Sequence, residues 1–143
     1  MSPALLDLAR RAVACLRWRW MAGMRALTDV GGRVLTDAGG CWRVYLGTHG
    51  IICAQGDGNG GYVAGWDHTA AILGVLPDLA DPATLGCLLA LVREAWGDPK
   101  IHVLPARPPS AFGGAPWVCG ARARLFTGAS EAAALVAALE AAP

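Results

Sequence analysis

The stretch Asp81–Gly97, reading D-P-A-T-L-G-C-L-L-A-L-V-R-E-A-W-G, constrains the fold more than any other part of the chain. Asp81 supplies a capping carboxylate, and Pro82 falls at the first helical position, where its missing N–H costs nothing. Leu85, Leu88, Leu89, Val92, Ala95 and Trp96 recur at the three- and four-residue spacing of one helical face. Gly97 is placed to end the helix, and Pro99 blocks its continuation. Burying the five large side chains of that face contributes roughly 7–15 kcal/mol gross, an upper bound. A helix so patterned needs an apolar partner surface, which the rest of the chain must provide.

Two further helices are predicted. Pro3–Leu16 has Ser2 as cap and Pro3 as first residue, with Leu5, Leu8, Ala9, Ala12 and Leu16 on the apolar face. Asp7, Arg10, Arg11 and Arg17 lie largely off that face, and Asp7 and Arg11 stand four apart, the spacing of a surface pair. Glu131–Ala142 is capped by Ser130 and carries a narrow stripe of Leu135, Val136 and Leu139.

Between Arg17 and Trp66 the apolar period shortens. R-W-R-W at 17–20 alternates as a short strand would, with Trp18 and Trp20 on one side and Arg17 and Arg19 on the other. Met24–Thr28, Arg33–Thr36, Cys41–Leu46, Gly50–Gln55 and Tyr62–Trp66 read as further strands joined by glycine-rich turns. Links that short favour antiparallel neighbours. Residues 68–76 fit a short strand, a helical turn or neither. Lys100–Leu104 reads as a strand and Pro105–Pro116 as a loop. Trp117–Cys119 and Arg122–Phe126 read as a hairpin about Gly120–Ala121. The expected fold is α+β: a mainly antiparallel sheet of short strands, covered on one face by the central helix and flanked by N- and C-terminal helices. No internal repeat or second composition regime divides residues 1–143, so one domain is expected.

Composition narrows the function classes. With 55% hydrophobic and 16% charged residues, the chain is too apolar to be disordered. Its longest apolar run is too short to span a bilayer, and Asp7, Arg10 and Arg11 interrupt any signal-peptide core. A soluble cytoplasmic protein without membrane contact is the expectation. The five cysteines are odd in number and never at a C-x-x-C spacing, which suits reduced thiols. A formal net charge of +1 argues against both an acidic DNA mimic and a basic DNA coat, although residues 1–28 hold five arginines against Asp7 alone.

Candidate chemistry is sparse. Gly56, Gly58 and Gly61 form a G-x-G-x-x-G, but a dinucleotide site needs a helix N-terminus next, and Tyr62–Trp66 reads as a strand. A calcium loop starting at Asp57 fails because Gly61 replaces an oxygen ligand and His68 stands where glutamate should close it. His49, His68 and His102 are strewn singly, without the paired local ligands of a zinc site. No cofactor or metal is expected, and no catalytic motif is present. An enzyme built on His68 with Asp67 is the weakest reading. Arg17, Trp18, Arg19 and Trp20 form the one basic–aromatic interleaving; as a strand it would pack its tryptophans into the core and leave the arginines solvated, whereas an exposed patch could contact nucleic acid and would equally suit a protein partner. Arg107 and Phe112, on a proline-stiffened loop, complete the expected binding residues.

The segment L-P-D-L-A-D-P-A-T-L-G-C-L-L-A-L-V-R-E-A-W-G-D-P at Leu76–Pro99 resembles a signature of small accessory proteins of tailed phages and prophages. W-R-W-M-A-G-M at Trp18–Met24 and the C-terminal E-A-A-A-L-V-A-A-L-E-A-A-P resemble the same group; together the three pieces cover about a third of the chain. The resemblance implies a host-cytoplasm setting and brings no catalytic residues. It implies a non-enzymatic protein that binds and inhibits a host defence component, a protein or ribonucleoprotein such as a CRISPR effector, as anti-CRISPR proteins do. The alternative is a small-molecule or nucleotide sponge built on the glycine-rich loop and the tryptophans.

Overall fold

The computed structural model describes residues 2–30, 33–34, 42–47, 50–55, 62–66, 75–107 and 114–143. They form an α+β fold in the order α1 (Pro3–Ala14), β1 (Arg25–Val30), β2 (Arg33–Val34), β3 (Trp42–Gly47), β4 (Gly50–Gln55), β5 (Tyr62–Trp66), β6 (Val75–Pro77), α2 (Pro82–Trp96), β7 (His102–Pro105), β8 (Trp117–Ala121), β9 (Arg124–Gly128) and α3 (Glu131–Glu140). Every strand pairing is antiparallel. Where one sheet was expected, the described strands form two. The chain divides into two compact units, Trp20–Thr84 and Met1–Arg19 with Leu85–Pro143.

The Trp20–Thr84 unit contains the larger sheet, ordered β2-β1-β3-β4-β5, with β6 also on β1. The short glycine-bounded strands of the sequence make consecutive hairpin partners: β3 runs in register with β4 from Trp42↔Gln55 to Gly47↔Gly50. Strand β6, which periodicity could not assign, pairs Leu76 with Leu27. The start of β1 is fixed by a knot of polar groups. Arg25 donates its backbone N–H to Thr84 Oγ1 at 2.8 Å, and the Thr84 hydroxyl donates to Asp81 Oδ2 at 3.1 Å. Asp78 donates its N–H to the Arg25 carbonyl, and its Oδ2 lies 3.5 Å from Arg25 Nε. Asp78, Asp81 and Thr84 are all buried, so each bond here replaces one to water. Asp81 is also the helix cap that the sequence indicates: Thr84 donates its N–H to Asp81 Oδ2 at 2.9 Å.

In the other unit, β7-β8-β9 form a three-stranded sheet with β8 in the middle. Helix α3 lies across its strands and also meets α1. Burial therefore extends well past the expected stripe, to Ala132, Ala134 and Ala138 beside Leu135, Val136 and Leu139. Ser130 caps α3 by accepting from the Ala133 N–H, and Ser2 caps α1 by accepting from Leu5. The start of α3 presses on β9 so closely that a Cβ at Gly128 would collide with the backbone nitrogen of Ala134 and stand 2.8 Å from Ala133. On α2, Leu88, Val92 and Trp96 are buried as the spacing indicates, joined by Leu91, while Leu85 and Leu89 lie half-buried at the edge of the stripe. Gly97, at φ +61°, ends α2 by donating to the Glu94 carbonyl, and Asp98 donates to Arg93. That bond pair is a Schellman motif, which needs a residue free to adopt positive φ.

Three sequence expectations are corrected. Residues 17–20 are not a strand: a turn follows α1, with Trp18 donating to the Cys15 carbonyl at 3.0 Å, and the chain then runs irregularly. The alternation survives as burial alone, with Arg17 and Arg19 exposed and Trp18 and Trp20 half-buried. The β8–β9 hairpin turns at Arg122–Ala123, not at Gly120–Ala121, because Gly120 and Ala121 pair with Leu125 and Arg124 in the ladder. Arg11 makes its ion pair with Glu140 of α3, at 2.7 Å, instead of with Asp7.

Two substitutions test this packing. Gly128→Ala should lower stability by about 1–3 kcal/mol through overpacking against α3. Asp81→Ala should lower it by about 1–2 kcal/mol through loss of the cap. Urea unfolding followed by circular dichroism measures both.

Candidate functional site

Helix α1 stops at Cys15, whose backbone is extended at φ −66°, ψ 136°. The stop comes before Leu16 can join the apolar face. Leu16 is instead fully exposed, although its spacing from Ala12 places it in phase with the buried residues. Around it the chain builds a corner from three of the sequence-predicted binding residues. Arg17 reaches the Pro143 carbonyl oxygen at 2.5 Å. Arg19 grips Glu94 of α2 with both arms of its guanidinium, at 2.6 and 2.7 Å. Trp18, half-buried, lies between them in sequence.

Two shallow depressions meet at this corner. One, of about 260 Å³, is bounded by Leu16, Arg17, Trp18 and Arg19 on one side and by Leu91, Glu94 and Ala95 of α2 on the other. The second, of about 340 Å³, is bounded by Cys15, Leu16, Arg17 and the end of α3. Leu16 and Arg17 belong to both and form the ridge between them.

The electrostatics follow from the ion pairs. The Arg19 hydrogen bonds hold the Glu94 carboxyl below its usual range, and Glu94 raises Arg19 in turn. Arg11 is raised by its bonds to Glu140. Burial pushes the Cys15 thiol up, with the Glu140 carboxylate adding to it, and Cys15 Sγ donates to the Arg11 carbonyl. Burial also raises Cys119. Thiols shifted upward are poor nucleophiles at neutral pH. The corner thus presents an exposed aliphatic side chain, an indole and two arginines whose forks are partly occupied. Such a surface suits shape-matched contact more than bond-making.

The remaining expected positions separate. Trp20 is half-buried in the Trp20–Thr84 unit, and Arg107 is exposed beyond β7. Phe112, the G-x-G-x-x-G segment 56–61, Asp67, His49 and His68 lie outside the described residues. Tyr62–Trp66, which follows the glycine segment, is strand β5, so the helix that a dinucleotide site requires is not there. His102 is exposed, with Nδ1 3.0 Å from the Lys100 carbonyl. Among the described residues no group of three or more histidines, cysteines and carboxylates gathers as a metal site requires, and no helix is long and apolar enough to cross a membrane. Sequence reasoning missed Leu16, Leu104 and Leu125, the exposed large hydrophobics among the described residues. Alternation in 102–105 and 124–128 carries a signal for the last two, but not which face is covered.

No protein-family model matches the chain, and neither a curated protein nor a solved structure matches it.

The Arg19–Glu94 pair sets a pH dependence. Because the Glu94 pKa is depressed in the folded chain, its contribution is present above the unfolded carboxyl's range and disappears as pH falls through the folded value. Glu94→Gln should therefore differ from the parent chain at neutral pH and converge with it in acid. Raised salt should narrow the neutral-pH difference, since both partners are exposed. Thermal melts across a pH series measure this.

Proposed function

We propose that the chain is a non-enzymatic binding protein that acts on another macromolecule through the Leu16–Arg19 corner. The observation that carries this reading is Leu16: an aliphatic side chain held wholly in water at the ridge between two depressions, with Trp18 and two arginines beside it. Burying one such side chain under a partner yields about 1.5–3 kcal/mol, and tryptophan and arginine are the residue types that most often anchor interfaces. A protein partner fits better than nucleic acid. Phosphates would have to compete with Glu94 for Arg19 and with the Pro143 carbonyl for Arg17, and no base-stacking partner would use Leu16.

The resemblance of Leu76–Pro99 to accessory proteins of tailed phages supplies the setting for this proposal. The site of action is the host cytoplasm, and the partner is a component of a host defence system, with a CRISPR effector as the leading instance. Inhibition in this reading is by occupancy: the partner's working surface is covered.

The test is protection of phage from defence in cells that express the chain. Leu16→Asp should abolish protection at unchanged protein level and melting temperature, because the side chain is fully exposed in the free protein. Protection that survives this substitution removes the corner from the reading. Absence of protection against every defence system assayed removes the reading itself.

A further inference from the structure

Leu16 stands where its own helical phase does not put it. Its spacing from Ala12 continues the apolar face of α1, and Ala9 and Ala12 on that face are fully buried. Helix α1 packs on α3, and beside the end of α3 lies a hollow of about 340 Å³ whose rim includes Leu16, Leu139 and Ala142. The hollow has room for an aliphatic side chain, and burying one there is favourable. No glycine or proline lies between Ala12 and Arg19 to stop the helix short of that burial. Leu16 is nevertheless wholly in water, and the helix ends at Cys15.

Bonds made on either side of the segment account for this. Before it, Arg11 grips Glu140 of α3 and fixes the last full turn of α1. After it, Arg17 donates to the Pro143 carbonyl oxygen at 2.5 Å, and both residues lie on the rim of the same hollow. Arg19 then donates from both terminal nitrogens to the Glu94 carboxylate on α2, at 2.6 and 2.7 Å. Between these anchors the chain leaves the helix at Cys15 and turns, with the Trp18 N–H donating to the Cys15 carbonyl. Leu16 falls inside that turn. We infer that Arg17 and Arg19 are straps that hold Leu16 in its exposed position, and that their release lets Leu16 fold into the hollow beside Leu139. The segment has two positions, and the strap bonds set the balance between them. The consequence for binding rests on the corner being the working surface, as proposed above. With the straps made, Leu16 is presented to a partner at little cost in ordering. With the straps released, the chain covers Leu16 itself and the corner is withdrawn.

Carbene footprinting of the full chain, read at single residues by mass spectrometry, tests this through the labelling of Leu16. Arg19→Glu should lower that labelling, and Arg17→Ala with Arg19→Glu should lower it at least twofold. Arg19→Glu with Glu94→Arg keeps the pair with its charges exchanged, and should label Leu16 as the parent chain does. Arg17, Arg19 and Glu94 are exposed, and circular dichroism should show each variant folded as the parent. Labelling that stays level or rises once both straps are removed would overturn the inference. So would a charge-exchanged pair that labels no better than Arg19→Glu alone. The footprint is read on the chain by itself, so an absence of phage protection would remove the corner reading and leave the two-position segment standing.

Discussion

The unit formed by residues 1–19 and 85–143 depends on how closely one alanine-rich helix approaches a strand. Helix α3 has few large side chains, and Gly128 has none, so backbone meets backbone where the chain turns from β9 into the helix. Small residues let both sides of α3 be buried, against the sheet and against α1. Close approach gains dispersion contacts that larger side chains would hold apart. Polar links then fix the rotation of the helix. Trp96 donates its indole N–H to the Ala138 carbonyl at 2.8 Å, and Arg11 clamps Glu140 through two hydrogen bonds. The first of these is buried and satisfies a group whose burial would otherwise be unfavourable. The second is exposed and sets geometry more than it adds stability.

The Trp20–Thr84 unit solves a different problem. Its β1 strand must serve β3, β6 and β2 along a few residues, pairing Arg25 and Ala26 with β3, Ala26–Thr28 with β6, and Asp29 and Val30 with β2. A strand with so many neighbours needs a defined start. The Asp78–Asp81–Thr84 knot gives it one, and it uses the same aspartate that begins α2. A helix cap and a strand register are thus set by one carboxylate.

Legibility in the sequence followed the range of the physics involved. Ser2, Asp81 and Ser130 all cap as their positions indicate, and Gly97 ends α2, because caps are decided within four residues. Strands β4 and β5 match their turn signals residue for residue. The errors arise where distant partners decide. Glycine at 120 reads as a turn, yet it sits in a ladder whose true turn is held elsewhere. R-W-R-W alternates as a strand does, yet a turn followed by irregular chain shows the same alternation of burial without a ladder. Arg11 finds Glu140, 129 residues away, in preference to Asp7. Of the candidate site, Arg17, Trp18 and Arg19 were legible as residue types, whereas Leu16 was not. Its exposure depends on α1 ending without any glycine or proline to announce it.

The tip of the β8–β9 hairpin adds one more consequence. Arg122 adopts φ +53°, a backbone state that a side chain other than glycine resists. Its guanidinium holds the carbonyl of Trp96, the last residue of α2, at 2.7 Å. The strained corner and the helix terminus are therefore mechanically latched. Opening of either the hairpin tip or the last helical turn breaks this bond, while the Gly97 and Asp98 bonds still close the helix.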